Sequence, residues 1–571
     1  MTAGRRGSDV RQRRAAGRTG ERFHTGPDRQ NPVAPCGPSL RWPQLLILGL
    51  DWFSMSNHTM NLLQAFERTA RCHPDDTALV AEDGREFTYG ELDRRSTRLA
   101  NALEERIPGE RCATLALTGT AAVESMLAGD KRGAATVQLS FHASEGELVE
   151  MADAADSPGL LFDDANADAA LSMLDRGEFD AAVHAGSRDI HRDDIESYEA
   201  VLESAAAEPS PDLPRGDECA VLYTSGTTSR PKAVAFDQEQ LWYGAVQSVM
   251  EHGVDHTDVA LVCTPWYHMV TTDAWLYPHF VAGATVVLQP SFDPEAVLEA
   301  IEEHDITGLL AVPTQLVAIN DVQETAGYDT STLDYIRTGG SIVTEDLVER
   351  TSELLSDQVY NTYGMTEGGP NLTFAHPEWQ EDHLGTVGKE AHTYELRVVE
   401  AAPLDDHPDP ETTVEPGGRG EVIARGPGMS EGYLDNEKAE EKTYFDGWIR
   451  TCDVARVDED GFLYVVDRVD NMILSGGEKV YPAEVEQSLE GHEAVDDACV
   501  FGVQDDRWGE VVTAVVVAEG IDAEELDEHC KADDSLADFK RPRNYVVADE
   551  TLPRTDTGTL RRDEIADRFA E

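Results

Sequence analysis

Between an apolar run ending at Tyr223 and the pair Pro231-Lys232, the chain reads Thr224-Ser225-Gly226-Thr227-Thr228-Ser229-Arg230. Hydroxyls and backbone N–H groups crowd into one short turn and a lysine adds positive charge, a combination suited to holding phosphate. It is not the mononucleotide loop G-x-x-x-x-G-K-[ST], because no glycine precedes Lys232 and no hydroxyl follows it. A second stretch, Val359 to Gly369, carries an apolar strand end into a glycine turn that offers Thr366 and Glu367. A carboxylate beside phosphate oxygens suits Mg2+, which takes few protein ligands and fills its shell from substrate phosphates and water. Alone, the first segment also reads as an ordinary surface connection and the second as a helix N-terminus. Together they point to nucleotide chemistry.

Alternating strands and helices must position these turns. Helical spacing of Leu62, Leu63, Phe66 and Ala70 predicts a first amphipathic helix, and Thr88 with Glu91 predicts a capping box opening a second. Asp237 with Gln240 predicts another directly after the lysine. Apolar runs at 113–117, 159–162, 261–264, 284–288 and 308–312 predict strands of an α/β layered plan. Past residue 385 short strands such as 395–399 and 420–424 predict a β-rich subdomain. After Asp470 a helix at 482–489 and strands at 498–503 and 511–517 predict an α+β unit.

Further segments recur in a telling order: Pro265-Trp-Tyr-His268-Met269, Gly339-Gly340-Ser341, Gly447-Trp-Ile-Arg-Thr-Cys-Asp453, Val466-Asp-Arg468-Val-Asp470-Asn-Met-Ile473, Ser475-Gly476-Gly477-Glu-Lys-Val-Tyr-Pro and Leu552-Pro-Arg-Thr-Asp-Thr-Gly-Thr559-Leu-Arg-Arg562. With the two nucleotide segments they resemble the adenylate-forming superfamily, which includes acyl-CoA and aryl-CoA synthetases, luciferases and the adenylation domains of peptide synthetases. The resemblance runs from about residue 61 to 566.

It implies an α/β fold: a large N-terminal domain of layered α/β subdomains plus a small β-barrel-like subdomain (55–469), followed by a small mobile α+β C-terminal domain (470–571). It implies an ATP-dependent carboxylic acid:CoA ligase that forms an acyl-adenylate and then a thioester, using ATP, Mg2+ and coenzyme A. Thr224, Ser225, Gly226, Thr227, Thr228 and Thr366 then hold phosphates, with Lys232 as the catalytic cation and Glu367 on magnesium. The backbone of Tyr360, Asn361, Thr362 and Tyr363 borders the adenine, and Gly339, Gly340 and Ser341 border adenine and acyl carbonyl. His268 gates the acyl pocket, Asp453 takes the ribose hydroxyls, and Arg468 takes ribose or phosphates. Asp470 is the hinge, and Ser475, Gly476 and Gly477 pass the pantetheine arm.

The pattern has departures. Ser229, Ala233, Cys452 and Asp467 stand where the family has glycine, and Asn471 where it has aspartate. Thr559 replaces the lysine that reaches the α-phosphate and the attacking carboxylate in the family. Losing one such donor costs about 3–4 kcal/mol, roughly 10²–10³ in rate. Arg561 or Lys540 could supply charge from a shifted position. The alternatives are therefore an adenylation-impaired nucleotide or acyl-CoA binding homologue and another adenylate-forming ligase, such as a peptide-synthetase module; no carrier domain follows Glu571. The acid itself is not readable, although fatty-acid metabolism is one setting for such an enzyme.

The net charge of −64, from 46 basic and 110 acidic residues of which only eight are lysine, excludes a nucleic-acid or anionic-lipid partner. With 40% hydrophobic residues, such acidity reads as a folded, halophilic, haloarchaeal-like protein suited to a salt-rich cytoplasm. Eight scattered cysteines form no C-x-x-C pair, which fits reduced thiols. The apolar patch 45–50 is too short to span a bilayer. Residues 1–54 carry nine arginines against four acids and read as an extension ahead of a true start at Met55 or Met60. The expected partners are small molecules, and the expected state is monomer or homodimer.

Overall fold

The computed structural model describes residues 60–569, except 211–212, 214–215, 225–230, 381, 435, 493, 506, 519, 534–535, 549 and 556–558. The basic segment 1–54 and the hydroxyl turn Ser225, Gly226, Thr227, Thr228, Ser229 and Arg230 therefore lie outside the described residues.

Two large sheets share one core. The first has nine strands in the order Lys389–Glu390, Thr373–Ala375, Val359–Tyr363, Tyr335–Gly339, Gly308–Leu310, Val259–Val262, Thr285–Leu288, Thr77–Val80 and Glu86–Thr88. Its central strands pair in parallel, while both ends are antiparallel. Ala260, Leu261 and Val262 are buried on both faces, as expected of a parallel strand covered by helices. The second sheet has eight strands: Tyr433–Leu434, Lys232–Asp237, Glu218–Thr224, Thr136–Gln138, Cys112–Leu115, Gly159–Asp163, Ala181–Ala185 and Ile195–Ser197. Leu79 and Val286 of the first sheet meet Leu222, Val234 and Phe236 of the second in a single apolar cluster. Leu241 and Ala245 of helix Gln238–His252 pack into the same cluster.

The predicted caps form as read. Thr88 and Glu91 close a capping box on helix Tyr89–Arg106, and Asp237 with Gln240 closes one on helix Gln238–His252. Each satisfies two of the backbone N–H groups that a helix start leaves without partners. Helix Leu62–Cys72 buries Leu62, Phe66 and Ala70.

A third, antiparallel sheet comprises Glu395–Val399, Arg419–Arg425, Trp448–Val457 and Tyr444–Phe445, with Leu463–Arg468 paired to Trp448–Val457. The smaller C-terminal domain has a separate sheet built on the long hairpin Val495–Asp505 and Gly509–Ala518. Helices Pro482–Glu490 and Ala523–Ala532 cover it, through Val485, Leu489 and Leu526. The result is an α/β fold with a large N-terminal and a smaller C-terminal domain.

Candidate active site

Two paired strands bracket the segment predicted to hold phosphate. Strands Glu218–Thr224 and Lys232–Asp237 pair antiparallel with Thr224 opposite Lys232, so the two residues flank the turn between them. Thr224 Oγ1 is buried with no hydrogen-bond partner among the described residues. A buried hydroxyl left unpaired at the edge of a turn costs free energy unless a ligand or water completes it. Ala233 sits inside the strand, opposite Tyr223 and Leu434. Its φ is not left-handed, so alanine serves there as well as glycine.

Lys232 and Glu367 meet through a residue that the motifs did not nominate. The Lys232 ammonium lies over the ring of Tyr433, 5.1 Å from its centroid. The Tyr433 hydroxyl donates to Glu367 Oε1 at 2.5 Å. Ser430 N–H and Oγ bond the Glu367 carbonyl at 3.0 and 3.2 Å, which fixes the 3-10 turn Thr366–Gly368 that carries the carboxylate. Burial, then the adjacent Glu367 carboxylate, pushes the Tyr433 hydroxyl well above its ordinary pKa, so it remains a donor. A hard carboxylate oxygen with a hydroxyl-bearing Thr366 beside it is a donor set that fits Mg2+ accompanying a polyphosphate.

Strands Tyr335–Gly339 and Val359–Tyr363 end side by side, bringing together the two segments predicted to border the adenine. The carboxyl ends of parallel strands are where open α/β sheets bind ligands. Gly339 pairs with Thr362 at φ +150°, and a Cβ there would stand 2.2 Å from the Thr362 carbonyl. Only glycine permits this approach. Gly340 and Ser341 follow at the lip, where Gly340 is exposed. The side chains of Tyr360 and Asn361 are committed to packing: Tyr360 meets His252 and His376 edge-on, and Asn361 Nδ2 donates to the Thr386 carbonyl. Thr362 Oγ1 likewise donates to the Thr338 carbonyl. Tyr363 is the side chain that reaches across, donating to Asp453 Oδ2 at 2.6 Å.

Asp453 gathers the far wall. Arg468 Nη1 lies 3.2 Å from its Oδ1, and Arg468 Nε lies 2.9 Å from Asp470 Oδ1. Burial pushes the Asp453 carboxyl up, against the lowering pull of Arg468 and the Tyr363 hydrogen bond. Cys452, next to Asp453, has φ +59°, a left-handed conformation that side-chain-bearing residues adopt at a cost. The segment before Asp470 is tied down by Asp467, one of the departures from the family pattern. Its Oδ2 accepts from Ala483 N–H at 2.7 Å, at the start of helix Pro482–Glu490, and its Oδ1 accepts from Asn471 at 2.9 Å. Arg419 of the third sheet pairs with Glu484 on that helix.

Ser475, Gly476 and Gly477 form a hairpin tip between strands Ile473–Ser475 and Glu478–Val480. Both glycines have positive φ, +63° and +90°, as a tight two-residue turn requires. Gly476 rests on Trp508, which would meet a Cβ at 2.9 Å, whereas Gly477 faces open space. His268 caps the short helix Met269–Thr271, which runs into a π-helical turn, Thr272–Leu276. Its ring is 4.4 Å from Tyr267, and Tyr267 meets Phe141 edge-on at 5.0 Å. Trp266 Nε1 anchors the segment to the Ala116 carbonyl at 2.8 Å. These aromatics form a wall where the two large sheets meet.

Thr559 is exposed and its main chain is held by Thr555. Of the two cations considered as substitutes, Lys540 is paired with Glu484 at 2.7 Å. Arg561 donates to the Arg554 carbonyl at 3.2 Å, and its charge adds to the Ser144 hydrogen bonds that hold Glu147 low. A cavity of about 810 Å³, lined by Glu251, His376, Trp379, Lys389 and His392 among others, contains none of the residues nominated from the motifs.

Comparison with known proteins identifies the family. The AMP-binding enzyme family model matches residues 66–434, and the model of the AMP-binding enzyme C-terminal domain matches 484–559. A feruloyl-CoA synthase from an Amycolatopsis species is 36% identical over 513 residues, 88% of this chain and 98% of the relative. An indoleacetate–CoA ligase from Aromatoleum aromaticum is 33% identical over 521 residues, covering 89% and 98%. The o-succinylbenzoate CoA synthetase of Bacillus subtilis superposes in complex with its acyl-adenylate intermediate at TM-score 0.76 and 29% identity, covering 88% of this chain and 97% of that one. Its complex with ATP and magnesium ion superposes at TM-score 0.75 and 29% identity, covering 88% and 99%. The chain belongs to the AMP-binding enzyme family.

Proposed function

We propose that the protein is an ATP-dependent carboxylic acid:CoA ligase acting on aromatic acids. The observation that carries the reading is the meeting of Lys232 and Glu367 on Tyr433, beside the hairpin mouth flanked by Thr224. One oxygen of the acid attacks the α-phosphorus of ATP and pyrophosphate leaves, giving an acyl-adenylate. The CoA thiolate then attacks the acyl carbonyl and AMP leaves with the electron pair of the broken bond. Both steps bring anions together, so the protein's work is to position them and to supply fixed positive charge. Lys232 faces the polyphosphate, Asp453 accepts the ribose hydroxyls, and Gly339 to Ser341 let the acyl carbonyl approach the strand ends. Thr366 and Glu367 would hold the Mg2+ that arrives with ATP, which when bound offsets phosphate charge and eases pyrophosphate departure.

The aromatic preference rests on the relatives' feruloyl, indoleacetate and succinylbenzoate substrates and on the Phe141, Tyr267 and His268 wall. The boundary between the domains is placed at Asp470, with Gly476-Gly477 presented for thioester formation. The acidity fits a halophilic protein in a salt-rich cytoplasm, where roughly molar salt shortens the screening length to about 3 Å. ATP–pyrophosphate exchange over a panel of aromatic and aliphatic acids, run at 0.1 and 2 M KCl, tests the whole reading. The expected result is exchange with hydroxycinnamic or indole acids, greater at high salt. Exchange with aliphatic acids alone would overturn the substrate class, and exchange with none would favour the adenylation-impaired homologue.

A further inference from the structure

Tyr433 lies on the two-residue strand Tyr433–Leu434, which pairs with the lysine-bearing strand through Tyr433 opposite Val234 and Leu434 opposite Ala233. This edge strand places one aromatic ring under Lys232 and beneath the Thr366–Gly368 turn. Its two faces of contact differ in kind. The ring face attracts the ammonium as a cation over a π-system, while the hydroxyl makes a short charge-assisted hydrogen bond to one carboxylate oxygen of Glu367. Tyr444 meets the Tyr433 ring edge-on at 5.8 Å, and Ser430 Oγ lies 2.5 Å from the Tyr444 hydroxyl while also bonding the Glu367 carbonyl. The ring is therefore held from behind by the same loop that fixes the backbone of Glu367. Thr443 Oγ1 is a further neighbour of the hydroxyl, at 3.3 Å.

We infer that Tyr433 is a positioning residue that sets the Lys232 ammonium and the Glu367 carboxylate relative to each other, taking Oε1 so that Oε2 is the oxygen offered to the metal of Mg–ATP. The inference rests on the proposed role of Glu367. Without the hydroxyl, the carboxylate can rotate, and the negatively charged pair of oxygens loses its fixed aim. Without the ring, the ammonium also loses its seat and can collapse onto the carboxylate, neutralising both groups before the nucleotide arrives.

The test is equilibrium binding of α,β-methylene-ATP, which cannot be cleaved between its α- and β-phosphates, titrated against Mg2+ by calorimetry in Y433F, Y433L and E367Q. Y433F keeps the apolar packing and the ring under Lys232, and is expected to need at least fivefold more Mg2+ for half-maximal enhancement of binding. Its affinity in EDTA should equal that of the wild type. Y433L should show the same Mg2+ shift and, in addition, at least threefold weaker binding in EDTA. A wild-type Mg2+ midpoint in Y433F, with a shifted midpoint in E367Q, overturns the role of the hydroxyl. Equal EDTA affinities for Y433F and Y433L overturn the role of the ring. An unshifted midpoint in E367Q instead overturns the metal role of Glu367, and circular dichroism of each variant confirms that it is folded.

Discussion

Replacing Thr559 by lysine is expected to raise the rate of adenylation at least tenfold. The position tolerates the change: Thr559 is exposed, and its segment is held by main-chain bonds, Thr555 N–H to the Thr559 carbonyl at 2.8 Å and an Arg554–Leu560 bridge. The neighbouring cations are mostly engaged. Lys540 is on Glu484, Arg554 is on Asp497, and Arg562 is sunk between Glu486 and the Val500 carbonyl. Arg561 is the cation whose described bond is to a carbonyl and whose charge is felt across the domain boundary, at Glu147. A unit charge acting from a shifted position, at about 8 Å rather than in contact, contributes about 2 kcal/mol at an effective dielectric of about 20. A direct donor in contact is worth about 3–4 kcal/mol. The difference is about 1–2 kcal/mol, or about tenfold if Arg561 already substitutes, rising to 10²–10³ if it does not. ATP–pyrophosphate exchange at saturating acid and Mg–ATP, measured for T559K, R561A and the double variant, separates the cases. A gain of about tenfold in T559K with a loss of at least tenfold in R561A would show that Arg561 partly fills the role, and a gain of 10²–10³ with no loss in R561A that it does not. No change in either variant would refute the charge argument itself.

Two further predictions concern groups around the site. Asp273, in the π-helical turn after His268, is fully buried, and burial pushes its carboxyl up to about 7. The folded state thus holds a proton that the unfolded chain releases near its ordinary 3.8. The associated stability is fully present below that value and is lost as pH rises towards 7. Asp273→Asn should therefore leave stability nearly unchanged at pH 4 and raise it by about 2–4 kcal/mol at pH 8, read by denaturant titration at both values; equal gains at both would sink the titration argument. Cys452→Gly should relieve about 1–2 kcal/mol of left-handed strain while adding about 0.5–1 kcal/mol of backbone entropy cost. A net rise in melting temperature is expected, and a fall would mean that the thiol's packing outweighs the strain.

What the sequence made legible is what the chain encodes locally. The capping boxes at Thr88 and Asp237, the apolar strands and the Gly476-Gly477 turn each depend on residues a few positions apart, so their spacing shows them. The central site does not have that property. Tyr433 reaches Glu367 across 66 positions and Lys232 across 201 positions, from a two-residue strand inside a charged stretch with no periodicity to mark it. The division into two sheets was hidden for a similar reason. Runs such as Ala260-Leu261-Val262 say that a strand is buried on both faces and say nothing of which sheet it joins.

The departures from the family pattern acquire distinct physical meanings once placed. Ala233 is neutral, because its position is an ordinary strand residue. Asp467 and Asn471 are coupled: the aspartate that replaces glycine accepts from the asparagine that replaces aspartate, at 2.9 Å, and also caps the helix beginning at Pro482 through Ala483. The two changes put a position tied to the next helix where the family has glycine, while Arg468 pairs with both Asp470 and Asp453. Breaking that tie with Asp467→Gly should loosen the junction, increasing proteolysis near Asp470 without weakening Mg–ATP binding, since Asp467 contacts backbone and Asn471 rather than the proposed nucleotide site. Cys452 stores strain beside Asp453, the proposed ribose ligand, and Thr559 stands where the family carries a charge. Only the last two adjoin the proposed nucleotide site, and they act on different terms, conformational energy at Cys452 and electrostatics at Thr559. A C452G/T559K double variant should therefore show additive effects, because sites without shared partners add.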